Sequence, residues 1–343
     1  MALISVTEAG VSICASGDGY SLKKDGCTFA HIPSGMIDQM VVGPDVDISR
    51  KAMEKMMDIG VPLAFIDSFG RLRTRLTPVW KHNALPRIGQ SLSWDNESIR
   101  LLLAKRFVAA KLINSVHILK SYAKNYSYPV IKLSRDKIVK NIEAIARASS
   151  LNEVLGIEGI SAKIYWEAFG SLLKCDFCRW EGRNRRPPRD PINAALSYSY
   201  AIITSLVIGY LELSGLDPYI GYLHSVDAGK PSLALDMVEP FRAIYVDKIV
   251  LKLFNRKQFN AAHFINNGVH GVFMNLEARK LLAKEIYGAI KSSDEDMDSY
   301  ALETHILRDI ESFKKLAQAR ELEDFVPYIV GGGDDICKCQ DLL

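Results

Sequence analysis

The chain has 343 residues, 48% hydrophobic and 24% charged, which excludes a disordered, fibrous or disulfide-stapled class. Single cores rarely keep growing past ~250–300 residues, so this length predicts two domains. Formal net charge is only +3, yet residues 292–343 hold 13 acidic against 5 basic side chains, while 1–291 hold 38 basic against 27 acidic. A basic body suits a polyanionic partner.

Six cysteines do not make a disulfide framework in a chain this long. The N-terminus, Met1-Ala2-Leu3-Ile4-Ser5, has neither a basic n-region nor a long apolar h-region, and the expectation is a cytoplasmic, reducing compartment. Cys175-Asp-Phe-Cys178 and Cys337-Lys-Cys339 could together make a four-cysteine zinc site; their separation and unlike contexts favour free thiols.

Residues 1–76 read mostly as strand. Apolar runs at Leu3–Val6, Val11–Ala15, Cys27–Ile32, Met40–Val42 and Leu63–Ile66 are separated by turns such as Ser16-Gly17-Asp18-Gly19, Lys23-Lys24-Asp25-Gly26 and Asp67-Ser68-Phe69-Gly70. One helix interrupts them, capped by Ser49, with Ala52, Met53, Met56 and Met57 as a core-filling stripe. Short strands with one small helix predict a small β-sandwich or half-barrel. Residues 77–94, with Pro78, His82 and Pro86 and little periodicity, read as a linker.

Beyond the linker the period changes from 2 to 3.6, which predicts an all-α domain over 95–330 and makes the whole chain α+β. Asn96–Tyr126 reads as a long amphipathic helix and Ser134–Ser149 as another, capped by Ser134. A capping box at Ser150-Leu-Asn-Glu153 starts a third, which carries Gly156-Ile-Glu158-Gly159 and Tyr165. Each glycine weakens a helix by ~1 kcal/mol, so the pair needs a reason. Either small residues let another backbone approach Glu158, or Glu158 is a solvated acid in a loose turn.

Lys174–Arg189 holds six cations, Lys174, Arg179, Arg183, Arg185, Arg186 and Arg189, against Asp176 and Glu181, with Trp180 and Pro187-Pro188 among them. Arginines on a proline-stiffened loop suit phosphate contacts along a nucleic acid; a solvated loop is the plainer reading. Asp190 then caps a helix with Pro191 at its first position. Pro191–Leu211 is uncharged over 21 residues, a membrane-spanning length, but its serines, tyrosines and Asn193 fit a helix buried in a bundle better.

Gly221-Tyr-Leu-His224 leads into Gly229-Lys230-Pro231-Ser232 and Asp236-Met-Val-Glu239-Pro-Phe-Arg242. Ser232 can cap the following helix, on which Asp236 and Glu239 share a face, and which bends near Pro240. Imidazole plus carboxylates suits a divalent cation; a buried histidine beside solvated acids is the plainer reading. Helices over Asn275–Lys291 and Tyr300–Arg320 follow, and residues 331–343 read as a flexible tail.

These motifs, with Arg185-Arg186-Pro187-Pro188-Arg189-Asp190-Pro191-Ile192-Asn193, Ile48-Ser49-Arg50 and Pro62-Leu-Ala-Phe-Ile-Asp-Ser-Phe-Gly70, resemble the CRISPR-associated adaptation integrases, the "Cas-one" endonucleases, up to about residue 290. The resemblance implies an N-terminal β-domain used in dimerisation and an all-α catalytic domain holding one divalent metal, Mg2+ or Mn2+. It implies Glu158, His224 and Glu239 as ligands, with Asp236 in support. Lys230 would stabilise developing charge, and Arg183, Arg185, Arg186, Arg189 and Arg242 would hold DNA phosphates. The implied reaction is spacer insertion by 3′-hydroxyl attack on a phosphodiester of double-stranded or branched DNA. The implied partners are a second copy of the chain and the small Cas-two protein, with no membrane. A nuclease of branched repair intermediates and a non-catalytic DNA scaffold are the rival readings. Glutamate at 239, where some relatives have aspartate, departs conservatively from the pattern, and the cysteine pairs have no counterpart in it.

Overall fold

Short apolar runs separated by tight turns fold the N-terminal part into two four-stranded sheets. The computed structural model describes residues 2–67, 72–78, 83–123, 129–291, 293–294 and 298–333. The strands are β1 (Ala2–Val6), β2 (Val11–Ser16), β3 (Gly19–Lys24), β4 (Cys27–Pro33), β5 (Ile37–Val42), β6 (Asp47–Ile48), β7 (Leu63–Ile66) and β8 (Leu72–Leu76), with α1 (Arg50–Asp58) after β6. One sheet has the order β4-β3-β2-β6, the other β1-β5-β7-β8. Two-residue turns at Gly17-Asp18 and Asp25-Gly26 close the β2–β3 and β3–β4 hairpins, as the turn chemistry predicts. Strand β3 itself was not visible as an apolar run, because only Tyr20 and Leu22 of its six residues are large and apolar.

Both sheets and α1 share one core, in which Ile13, Tyr20, Met40, Ala52, Met56 and Leu63 are fully buried. Met56 is therefore core filling, and the Ser49 hydroxyl accepts from Ala52 N–H as the expected cap.

The 77–94 segment is not simply a linker: α2 spans Leu85–Asp95, with Pro86 in its first turn, where a missing N–H costs nothing. Gln90 of α2 is buried and ties it to the helical domain, donating to Asp217 O at 2.8 Å and Ile220 O at 2.9 Å. Next come α3 (Glu97–Ala123), α4 (Pro129–Arg147), α5 (Leu151–Leu172), α6 (Pro191–Leu213), α7 (Ser232–Val238), α8 (Lys248–Asn255), α9 (Leu276–Lys291) and α10 (Leu302–Ala319). Helix α4 starts at Pro129, so Ser134 is a buried interior residue rather than a cap. Helix α3 is not amphipathic; it is buried on nearly every face between Leu103 and Leu119 and forms the axis of the domain. Helix α6 is long and apolar enough to cross a bilayer, but 78% of its most apolar stretch is buried.

Helices α7 and α8 form one unit with two changes of winding. Pro240 cannot donate a helical hydrogen bond, and there the chain tightens into a 3₁₀ turn over Glu239–Phe241, then widens into a π turn over Arg242–Asp247. Asn114 of α3 anchors this unit to the chain's last described residues. Its amide donates to Pro240 O and Tyr328 O, and Val330 N–H donates back to its Oδ1, at 2.8, 3.0 and 3.0 Å. Residues 330–333 form a 3₁₀ turn, whereas 334–343, most of the expected tail, lie outside the described residues, as do His82 and Ser68–Gly70.

Gly89 lies where α2 crosses α10. A Cβ there would come within 1.7 Å of Ala317 O, backbone that cannot yield. Gly89→Ala should therefore lower stability by about 1–3 kcal/mol, despite alanine's better helix propensity. Urea denaturation checks this, and an unchanged midpoint would contradict the close crossing.

Candidate active site

Three segments distant in sequence bring acid and imidazole together against the middle of α3. Glu158 comes from α5, His224 from the loop after α6, and Glu239 from the turn after α7. His224 Nε2 lies 3.8 Å from Glu239 Oε1. The Lys111 ammonium, from α3, bonds Glu158 and lies 2.8 Å from Glu239 Oε2. Arg242 closes the other side, 2.9 Å from Glu239 Oε1, with its guanidinium 4.9 Å from the centre of the Tyr200 ring.

Asp236 is fully buried and orients the histidine. Its carboxylate accepts from Tyr222 N at 2.6 Å, Leu223 N at 3.0 Å and His224 N at 3.1 Å, and His224 Nδ1 lies 2.7 Å from Oδ1. A carboxylate oxygen accepts, so Nδ1 donates to it and the ring is held with Nε2 facing Glu239. The loop fits this tightly because residue 221 is glycine: a Cβ there would lie 2.8 Å from Asp236 Oδ2 and closer still to Ser232. Ser232 is not the expected helix cap. Its hydroxyl donates to Ser225 O at 2.6 Å and ties the loop to the start of α7.

Glu239 is only 2% exposed. Burial opposes its charge, but Arg242, Lys111 and His224 outweigh that and hold the carboxyl down at about 2. Burial likewise works against the Lys111 ammonium, and Glu239 and Glu158 more than offset it, so its pKa rises. Glu239 is thus held as a carboxylate and Lys111 as an ammonium, with Glu158 and His224 beside them.

That donor set fits a hard divalent ion such as Mg2+ or Mn2+. Among the described residues no three His, Cys, Asp or Glu side chains already surround one point, because Lys111 holds the place between Glu158 and Glu239. Gly156 and Gly159 do not admit a neighbouring backbone. A Cβ at either would meet nothing within 4 Å, so they leave the face of α5 beside Glu158 bare.

Below the cluster Asp247 is buried, accepting from the hydroxyls of Tyr165, at 2.9 Å, and Tyr200. Burial lifts its carboxyl to about 6, against the lowering effect of the two tyrosines. A cavity of about 30 Å³ is lined by Lys111, Tyr165, Tyr200, Arg242, Asp247 and Arg185, which brings one loop arginine to the site.

The remaining arginines divide. Arg183 is built into the structure rather than free for phosphate: it donates to Asn193 Oδ1 at 2.8 Å and Ser197 Oγ at 3.1 Å and lies over the rings of Trp166 and Tyr200. Burial pulls its guanidinium down to about 10. Arg242 is also buried, serving Glu239 rather than an outer surface. Arg185, Arg186 and Arg189 are exposed. Lys230 stays in its own turn, 2.8 Å from Ser225 Oγ and 3.5 Å from Asp227 Oδ2, so the cations touching the acids are Lys111 and Arg242. Cys175 and Cys178 are joined in a disulfide and are not free thiols; Cys337 and Cys339 lie outside the described residues.

Sequence reasoning missed Lys111, Tyr200 and Asp247. Lys111 left a signal, a cation on the same helical face as Ala104, Val108 and Ser115 and the one charged residue between Phe107 and Val116. Asp247 left none, since an acid followed directly by Lys248 reads as solvated.

Fold and sequence together mark a family of CRISPR-associated endonucleases. The chain belongs to the family described as CRISPR associated protein Cas1, whose profile matches residues 4–287. It is 32% identical over 283 residues to a CRISPR-associated endonuclease Cas1 of Chlorobaculum tepidum, covering 81% of this chain and 82% of that one. Over 195 residues, 55% of this chain and 76% of the other, it is 42% identical to the Cas1 endonuclease of Leptospira interrogans. A CAS1 protein from Thermotoga maritima has the same fold, with a TM-score of 0.79, 24% identity and coverage of 92% and 96%. A casposase bound to integration product gives 0.80 at 21% identity, covering 99% and 98%. A chain of a Cas6-RT-Cas1–Cas2 complex gives 0.79 at 19% identity, covering 95% of this chain and 36% of that one.

Asp247 carries a pH signature. Its carboxyl sits at about 6 folded against ~3.9 unfolded, so its contribution is intact below about pH 4 and is lost as pH rises through 6. Asp247→Asn abolishes that loss. The stability of the variant relative to the wild type should rise by about 1–2 kcal/mol between pH 4.5 and 7.5. Urea denaturation at the two pH values tests it, and a constant difference would show Asp247 titrating normally.

Proposed function

We propose that the chain is a divalent-metal-dependent DNA strand-transfer enzyme of CRISPR adaptation, which inserts new spacer DNA into the array by 3′-hydroxyl attack on a phosphodiester. The observation that supports this reading is the clustering of Glu158 and Glu239 around the Lys111 ammonium, with His224 against Glu239, beside exposed arginines. Those three residues would hold Mg2+ or Mn2+, which when bound supplies Lewis-acid polarisation of the scissile phosphate. Asp236 keeps the imidazole in the tautomer that offers Nε2. Arg242 and Lys111 are the cations placed to balance negative charge that grows on the phosphoryl oxygens, with Lys230 held beside Ser225 in the neighbouring turn. Arg185, Arg186 and Arg189 position the backbone of the strand, and the bare face at Gly156 and Gly159 leaves Glu158 open to a bulky duplex.

On this reading the substrate is double-stranded or branched DNA, recognised by shape more than by base edges. The β-domain supports a homodimer, the small Cas-two protein is the partner, and the enzyme works in the cytoplasm. Water in place of the 3′-hydroxyl would give plain cleavage.

A labelled branched duplex incubated with the protein, its partner and Mn2+ tests the reading. Glu158→Ala and His224→Ala should each cut joining about 100-fold or more, and Asp236→Asn by 10–100-fold. Unchanged joining in both ligand variants would sink the proposed site. Hydrolysis by the wild type that never joins a 3′-end would leave a nuclease in place of an integrase. DNA affinity should fall steeply with salt, and Arg186→Ala should lower the slope of log K against log salt by ~1; an unaltered slope would take Arg186 off the backbone path.

A further inference from the structure

We propose that Lys111 is a tethered cation, occupying the divalent-metal position until metal and a DNA phosphate arrive, then passing its ammonium from the carboxylates to that phosphate. The inference rests on the metal-site reading above and deepens it into a coupling between metal and substrate.

The Lys111 ammonium bonds Glu158 and stands 2.8 Å from Glu239, so it uses the oxygens a divalent ion would need. A divalent ion bridging Glu158 and Glu239 would stand ~2.1 Å from an oxygen of each, in the space the ammonium now fills, and two cations so close repel strongly. Entry of metal therefore requires the ammonium to leave. The backbone of Lys111 is fixed in the most buried part of α3, but its four-carbon stem is flexible, and the 30 Å³ cavity beside it gives the head group room to move. Arg242 cannot substitute, since it is held between Glu239 and the Tyr200 ring.

Charge gives the displacement its direction. Three carboxylates, Glu158, Glu239 and Asp236, face the two fixed cations Lys111 and Arg242, with the His224 imidazole between Asp236 and Glu239, so with that imidazole neutral the resting cluster is slightly negative. A divalent ion turns it positive, with one ammonium displaced and unpaired in a buried cleft. A phosphodiester restores neutrality and gives the ammonium a partner. Metal should thus bind weakly alone and tightly with DNA, and by linkage DNA should bind tightly only with metal.

Mn2+ binding to the whole protein, followed by electron paramagnetic resonance with and without a DNA duplex, tests this. The wild type should bind Mn2+ at least about tenfold tighter with DNA present; Lys111→Met should bind at least about tenfold tighter than wild type without DNA, and gain little more when DNA is added. A folded Lys111→Met that binds Mn2+ no better than wild type overturns the proposal. Introducing His224→Ala in both backgrounds separates the two readings. If it weakens binding while Lys111→Met does not tighten it, only the tethered cation falls; if it changes nothing, the metal site falls as well. Should Lys111→Met fail to fold, amine acetylation of the wild type decides, read at Lys111 by mass spectrometry. Labelling should rise several-fold with Mn2+ alone, and unchanged labelling overturns the proposal.

Discussion

A carboxylate buried and ionised inside a helical core is the constraint around which the larger domain is arranged. Left alone, the charge on Glu239 would cost several kcal/mol in desolvation. It survives because three elements each deliver a counterpart: α3 brings Lys111, the π turn brings Arg242, and the loop before α7 brings His224. The uneven winding around Pro240 belongs to the same solution. It carries Glu239 and Arg242 to one side of the unit while Asp247 points to a second, tyrosine-lined layer beneath.

That lower layer explains how a cationic loop can be rigid. Arg183 turns inward, between the rings of Trp166 and Tyr200 and onto the polar start of α6, and Trp180 donates to Trp166 O from the same loop at 3.2 Å. The outer arginines are thereby displayed from a fixed base. One residue of the basic run supplies packing so that its neighbours can remain exposed; composition counts them alike, although their surroundings differ completely.

The parts legible in the sequence were those written in local chemistry. Turn residues marked the hairpins, Asp190-Pro191 marked the start of α6, and the change of period marked the passage from strands to helices. The acid–histidine set was legible through family resemblance more than through physics, because Glu158 lies far from His224 along the chain and only packing against α3 brings it close to Glu239. What stayed hidden depended on partners from elsewhere in the fold. Lys111 looks like a snorkelling surface residue until Glu239 faces it. Ser134 and Ser232 look like caps, but the helix around one begins earlier and the hydroxyl of the other is taken by Ser225. Pro86 looks like a breaker because only the position of the first turn makes it a starter.

The knot of hydrogen bonds at Asn114 has a practical meaning for engineering. One side-chain amide joins Pro240, next to the buried Glu239, to Tyr328 and Val330 near the end of the described chain. Residues 326–330 are thus a strut of the buried cluster rather than an appendage. Shortening the chain to before Tyr328 would strip two of the three hydrogen bonds from Asn114 while leaving Glu158, His224 and Glu239 in the sequence.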